Sequence, residues 1–217
     1  VFPEGRSAVT RLLSEADKAD EFVERSRQLL IALSSLPPVD RPGGWEDAKA
    51  KGRSFDDHDQ IDEILVTHFD RDHFHPGWAN ADLSTTRVRF HHAHGTPARR
   101  VMRSSSSLRP FSEAFEVLGG ARVTPVRCAH DDEGVTAFRI DAENTALGYA
   151  TDLGRVTKEL TGTFVGVGTL AIESNYCPQM QLESDRPAFL KDRIMGGRGH
   201  ISNQQAAEAV AAIKPTS

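Results

Sequence analysis

Cysteine is scarce in this chain: Cys128 and Cys177 are the two among 217 residues. Two thiols cannot build the disulfide framework of a small secreted domain, and their scarcity favours a reduced, cytoplasmic protein. Long apolar runs are missing as well. No stretch approaches the about 20 residues that a membrane-crossing helix needs, so a membrane-spanning protein is excluded. The first residues, VFPEG, lack the charged-then-apolar layout of a secretion signal. They also lack an initiator methionine, which reads as a translated N-terminus trimmed or missing here. Excess positive charge is the third absence. Lys and Arg total 26 against 31 Asp and Glu, a formal net charge of −5, whereas broad electrostatic binding of a long nucleic-acid backbone needs a basic surface. A small anionic substrate held through a metal remains compatible, because a bound cation inverts the local field.

What is present is an ordinary globular composition, 38% hydrophobic and 26% charged, at a length suited to one domain with a real core and short for two. Apolar residues at Val9, Leu12, Leu13, Ala16, Ala19, Phe22, Val23, Leu30 and Leu33 recur at helical spacing until Pro37 and Pro38 stop them. A polar, Gly/Pro-punctuated loop follows, with room for a short helix around Trp45. The reading is therefore a single domain over 1–217, with 1–58 an atypical helical segment and linker and 59–212 the core. Strands are expected in DEILVTHF and TRVRFHH, then a helix, a serine-rich break and a helix or irregular structure through TPARRVMRSSSSLRPFSEAFEVL. The second half alternates short strands and turns: ARVTPVRCAH, VTAFRID, TALGYATDLG and a buried strand in TFVGVGTLAIESNYC. PAFLKDRI reads as a helix, MGGRGH as a Gly-rich loop and SNQQAAEAVAAI as a closing helix, opened by a capping box of Ser202 and Gln205.

One pattern recurs. An apolar strand ends and a residue able to ligate a metal follows at once: His68, His130, Asp152 and Glu173. The ends of strands in a parallel or mixed sheet are aligned, so such residues converge in space. At the first of these ends, THFDRDH offers His68, Asp70, Asp72 and His73 within six positions. First-row divalent metals take neutral imidazole nitrogens and carboxylate oxygens at about 2.0–2.2 Å. A single turn rarely closes a coordination shell, and His130, Asp152 and His200 stand where distant ligands are needed.

These segments resemble a known family. THFDRDH is similar to the His-x-His-x-Asp-His signature of metallo-β-lactamase-fold hydrolases, and CAHDD, YATDLG, AIESNY and GGRGHISN follow in that family's order. AIESNY with FLKDRIMGGRGHISNQQA is most similar to its YycJ-like branch, described as exonuclease-like or phosphodiesterase-like. The resemblance covers about residues 60–210 and implies a four-layer αββα sandwich, α/β (α+β) in class, with two mixed sheets face to face. It implies two divalent metal ions, zinc or manganese. His68, Asp70 and His130 would hold one, Asp72, His73 and His200 the other, with Asp152 bridging. A hydroxide between metals roughly 3.5–4 Å apart would be the nucleophile, with Asp72 and His200 as the catalytic side chains. Asp70 stands where the signature has His. The added charge and hardness favour manganese or magnesium over zinc at that position, or leave it weakly occupied. The family also opens on a strand hairpin with an IDAG-like turn, which here is either missing or replaced.

The remaining candidates read more quietly. His75 is expected to pack or to support the ligands, and His91, His92 and His94 to serve a loop or the surface. Asp131 is an alternative ligand or an acceptor beside His130. Glu173 and Asn175 are expected to organise the site, Cys177 to be a buried thiol and Ser202 a helix cap. Arg103, Arg109 and serines 104–107 form a mobile loop or, alternatively, a phosphate contact. The resemblance implies a metal-dependent hydrolase whose favoured substrate is a phosphodiester. The acidic balance points to a small anionic substrate, a nucleotide or short nucleic acid, with no membrane partner; a homodimer is compatible. The alternatives are a hydrolase of a carbonyl substrate (lactone, lactam or thioester) and a metal-binding protein with a degraded site.

Overall fold

The computed structural model describes residues 29–31 (backbone only), 62–71, 73–74, 83–102, 106–117 and 119–216. Among the described residues, nine strands fall into two sheets. The first has the order β1 (Leu29–Ile31), β2 (Glu63–Val66), β3 (Arg87–His91) and β4 (Leu108–Phe111), and every neighbouring pair in it is parallel. The second runs β5 (Phe115–Glu116), β6 (Arg122–Cys128), β7 (Val135–Ala142), β8 (Thr145–Ala150) and β9 (Thr169–Ile172), antiparallel except for the β8–β9 pair. The second sheet is mixed as expected; the first, among the described residues, is purely parallel.

Side-chain alternation divides each strand between two cores. On β2, Leu65 faces Phe111 of β4 and Val123, Phe138 and Ile140 of β6 and β7, which is the layer between the sheets. Ile64 and Val66, pointing the other way, pack with Val88, Phe90 and Ala98 of helix α1 (Gly95–Val101). On β6 and β7, Val126, Cys128, Val135 and Ala137 face helices α2 (Lys158–Phe164) and α5 (Asn203–Ile213) through Leu160, Phe164, Ala206, Ala209 and Ile213. The order of layers is thus helix, sheet, sheet, helix. Two short helices complete the described chain, α3 (Pro178–Glu183) and α4 (Ala188–Met195). Among the described residues no helix is long and apolar enough to cross a membrane.

The two closing helices stand where the patterning puts them. Both bonds of the capping box are made, Gln205 N–H to Ser202 Oγ at 3.2 Å and Ser202 N–H to Gln205 Oε1 at 2.9 Å. Other expectations change. Leu29–Ile31 is a strand, although it ends a helical-period run; a continuous apolar triplet suits a strand of a covered parallel sheet equally well. LRPF and FE form β4 and β5 instead of the expected helix or irregular structure, and Pro110 is tolerated because β4 is an edge strand among the described residues. The expected strand over TFVGVGTLAI shortens to β9, because Phe164 closes α2, whose Thr157 cap accepts from Leu160 N–H at 3.1 Å. Neither α2 nor α3 was expected, since seven and six residues are too few to show a helical period. The rest of the N-terminal segment, Trp45 and the hairpin question lie outside the described residues.

Candidate metal centre

Four strand ends deliver the site. β2 is buried along its whole length and stops at Thr67 and His68. The turn after it closes on Asp70, whose carbonyl accepts from the N–H groups of His73 (2.9 Å) and Phe74 (2.7 Å). Phe69 and Phe74 flank the turn and stack at 5.0 Å in the core beneath α1. Two buried rings thereby hold the turn that carries His68, Asp70 and His73. His130 follows β6, Asp152 follows β8, Glu173 follows β9, and His200 comes from the Gly-rich loop before α5.

These loops touch backbone to backbone. Gly154 N–H donates to the Ala129 carbonyl at 2.7 Å. A Cβ on Gly154 would lie 2.6 Å from Gly197 O, 2.7 Å from Arg198 Cα and 2.8 Å from Ala129 O, so only glycine allows the loops bearing His130, Asp152 and His200 to meet. Asp152 itself adopts a left-handed conformation, φ 50°, an uncommon state concentrated at functional turns.

The resulting constellation contains three overlapping groups of potential ligands: His68, Asp70 and His130; His68, His73 and Asp152; and Asp152, Glu173 and His200. Asp152 sits at the centre. One carboxylate oxygen contacts His73 Nε2 directly and lies 3.6 Å from His68 Nε2, and the other lies 3.4 Å from His200 Nδ1. Asp70 Oδ2 is 3.8 Å from His68 Nε2. Asp72 lies outside the described residues, as does His75.

The contacts behind the histidines decide which ring nitrogen each presents. His130 Nδ1 donates to the Gly199 carbonyl at 2.9 Å, leaving Nε2 as the nitrogen with a lone pair. His68 Nδ1 is 3.1 Å from the Thr67 hydroxyl, and its Nε2 is buried with no hydrogen-bond partner. A backbone carbonyl or hydroxyl behind one nitrogen and an unanswered nitrogen in front is how metal-ligating histidines are built. A buried polar atom without a partner is costly unless something is meant to meet it. Burial, then the neighbouring His73, pushes the His68 pKa down to about 3, so the ring is neutral at physiological pH and needs no deprotonation to ligate. Burial alone would raise the Asp152 carboxyl. The His73 hydrogen bond and the electrostatic coupling to the imidazoles of His73, His68 and His130 outweigh it and hold the group ionised, below its usual range. Imidazole nitrogens and carboxylate oxygens, with His68 neutral and Asp152 ionised, are the donor set of a first-row divalent cation, and the residues fit one.

Glu173 braces two sides of the site. Oε2 accepts from Leu153 N–H at 3.0 Å and lies 3.3 Å from His200 Nδ1, and Oε1 accepts from Ile201 N–H at 2.8 Å. The His200 pKa is raised, chiefly by that Glu173 contact. Asp131, the alternative beside His130, turns away to Arg193 at 2.6 Å. An open cleft of about 460 Å³ leads to the ligands.

Outside the centre the outcomes are mixed. His91 ends β3 and His92–His94 form a 3₁₀ turn in which His92 is exposed as expected, whereas His91 and His94 are buried: His91 Nδ1 accepts from Ala93 N–H at 3.2 Å, and His94 lies against Arg127 at 2.5 Å. Cys177 is half-buried at the start of α3; Cys128 is the buried thiol, and burial pushes its pKa up to about 12. Arg109 is exposed and donates to the carbonyls of Ser106 and Leu108; Arg103 to Ser105 lie outside the described residues. Residues that patterning left unnoticed are Gly154 and Gly199, whose only signal is a Gly followed or preceded by a ligand, and Arg186 at the cleft, which carries no motif.

Residues 45–217 match the Beta-lactamase superfamily domain. Among curated proteins, 98 residues are 28% identical to Exodeoxyribonuclease YycJ of Bacillus anthracis, 45% of this chain and 37% of that protein. The matched stretch is thus well under half of that relative's length. Among solved structures, the metallo-β-lactamase fold protein YhfI of Bacillus subtilis superposes with a TM-score of 0.57 at 14% identity, covering 86% of this chain and 70% of that one. A diphosphatase of the PhnP family gives 0.56 at 18% identity, covering 86% and 65%. The layered sandwich is therefore a metallo-β-lactamase fold, and the chain belongs to the beta-lactamase superfamily domain family.

Proposed function

We propose that this chain is a metal-dependent hydrolase acting on a phosphodiester. The observation that carries the metal-dependent part is the buried, unpartnered Nε2 of His68 inside a cluster of imidazoles and carboxylates spaced to share a metal ion. His68, Asp70 and His130 would hold one divalent cation, and His73, His200 and Asp152 a second, with Asp72 added by its place in the motif. Such cations supply Lewis acidity at the scissile ester and lower the pKa of water. The chain's own residues do the rest. Glu173 holds His200 through Nδ1, Gly199 holds His130 through Nδ1, and both rings are thereby aimed before substrate arrives. The negative carboxylates at the floor of the cleft exclude a bare anion, so a phosphodiester is admitted only when cations are bound. The phosphodiester is favoured because the YycJ relative is named an exodeoxyribonuclease, and the PhnP-family structure, named a diphosphatase, also points to hydrolysis at phosphorus.

The test has two steps. Elemental analysis after purification with Mn²⁺ or Zn²⁺ is expected to find close to two metals per chain, and none would sink the reading. Bis(p-nitrophenyl) phosphate is then expected to be hydrolysed by the loaded protein and not by the chelated one. Turnover of a chromogenic lactone in its place would move the assignment to carbonyl substrates.

A further inference from the structure

One wall of the cleft is built by α4 and the residues just before it. Arg186, just before the helix, and Leu190, Arg193 and Ile194 on it all line the cleft that also reaches His68 and Asp152. Leu190, Arg193 and Ile194 share one face of α4 by their i, i+3, i+4 spacing, and Arg186 reaches the same cleft from two residues before the helix.

The two arginines on this wall are in different electrostatic states. Arg193 donates to both carboxylate oxygens of Asp131, at 2.6 and 3.3 Å, and its charge is answered. Arg186 donates from Nη1 to the neutral amide oxygen of Gln181 at 2.8 Å. Among the described residues no carboxylate pairs with it. Gln181 is 5% exposed, so the amide anchors one edge of the guanidinium from within the fold and leaves its charge uncancelled. The other amide atom of Gln181, Nε2, is buried with no partner, so no competing acceptor draws that side chain away from Arg186. An anchored guanidinium with free N–H groups is a fork shaped for phosphate oxygens.

We infer that Arg186 is the specificity-determining cation of the cleft, and that it takes a second, non-reacting phosphate on the substrate. The preferred substrate is then a phosphodiester that also carries a phosphate monoester, as at the phosphorylated end of a short nucleic acid. This rests on the phosphodiester reading for its reacting group. The reacting ester meets the His/Asp end, the terminal phosphate meets Arg186, and Leu190 offers an apolar surface between Arg186 and Arg193. Arg193 does not compete for the phosphate, because Asp131 holds it.

Calorimetry on the metal-loaded protein compares thymidine 3′,5′-bisphosphate with thymidine 5′-monophosphate, which differ by one phosphate. The bisphosphate is expected to bind at least about tenfold more tightly, as for a charge-assisted contact. In Arg186→Gln the two ligands bind alike, because the bisphosphate loses its advantage; Arg186→Lys restores part of the preference. Equal binding by the wild type, or a preference that survives in Arg186→Gln, overturns the assignment. Hydrolysis of bis(p-nitrophenyl) phosphate is read separately. Turnover without a bisphosphate preference refutes Arg186 alone, and an Arg186-dependent preference without turnover refutes the phosphodiesterase reading alone.

Discussion

Replacing Glu173 by Gln probes the bracing of the site without changing its shape. The native carboxylate answers three groups: the N–H of Leu153 at 3.0 Å, the N–H of Ile201 at 2.8 Å and His200 Nδ1 at 3.3 Å. The amide keeps one acceptor oxygen and turns the other position into a donor. Whichever way it sits, one partly buried backbone N–H or the imidazole then faces N–H. Losing one acceptor costs about 1–3 kcal/mol, and weakening the surviving bonds from charged to neutral adds about 1 kcal/mol. A total near 3 kcal/mol corresponds to a fall of about 6–12 °C in melting temperature for a chain of this size. With His200 no longer aimed, affinity for Zn²⁺ is expected to drop about 10–100-fold. Competition with a chromophoric chelator measures the second effect and thermal melting the first. A third reading comes from NMR of the metal-free protein. The Glu173 contact raises the His200 pKa, so the variant's His200 should titrate at lower pH than the wild type's. A variant that melts within about 2 °C of wild type and binds zinc equally well would refute the brace.

Gly154→Ala drives a methyl group against three backbone atoms at 2.6–2.8 Å, which cannot yield as a side-chain tip can. It should cost about 1–3 kcal/mol and weaken zinc binding, whereas Gly162→Ala, within α2 and with nothing near its Cβ, should stabilise by up to about 1 kcal/mol. Melting curves of the pair check both signs, and a harmless Gly154→Ala would show that the loops are not held in contact. Acid sensitivity of the metal-free protein follows from His94. Burial and the adjacent Arg127 lower its pKa to about 4 in the fold, against 6.5 when unfolded. Between those values the unfolded chain binds a proton that the folded chain refuses, so stability is complete above pH 6.5 and is lost as pH falls toward 4. His94→Gln, which keeps an acceptor for Arg127, should flatten that part of the pH–melting profile; an unchanged slope would place the acid sensitivity elsewhere.

The candidate ligands were legible because chemistry is carried by residue type. His68, Asp70, His130, Asp152 and His200 each follow an apolar run or a Gly-rich loop, and that local pattern survives folding unchanged. Ser202 as a cap and Glu173 as an organiser were legible for the same reason. The strands β4 and β5 were not: LRPF and FE are too short to show alternation, and their pairing comes from partners at Val88–His91 and Arg122–Val123, which no local window contains. Cys177 and His94 exchanged burial with expectation because exposure is a property of what packs against a residue.

The sequence by itself determined the chemical vocabulary of the site, the strands that end in it and the family whose pattern it matches. A ligand type and a period of two or 3.6 are local quantities, written along a few consecutive residues. Only the tertiary structure decided which nitrogen each histidine presents, that Glu173 answers three groups at once, that Gly154 lets three loops meet, and that Arg186 rather than Arg193 keeps its charge for a ligand. These depend on which atoms the fold brings within hydrogen-bonding or van der Waals distance, from Arg186 and Gln181 five residues apart to His130 and Gly199 69 apart, and residue type along the chain does not set that.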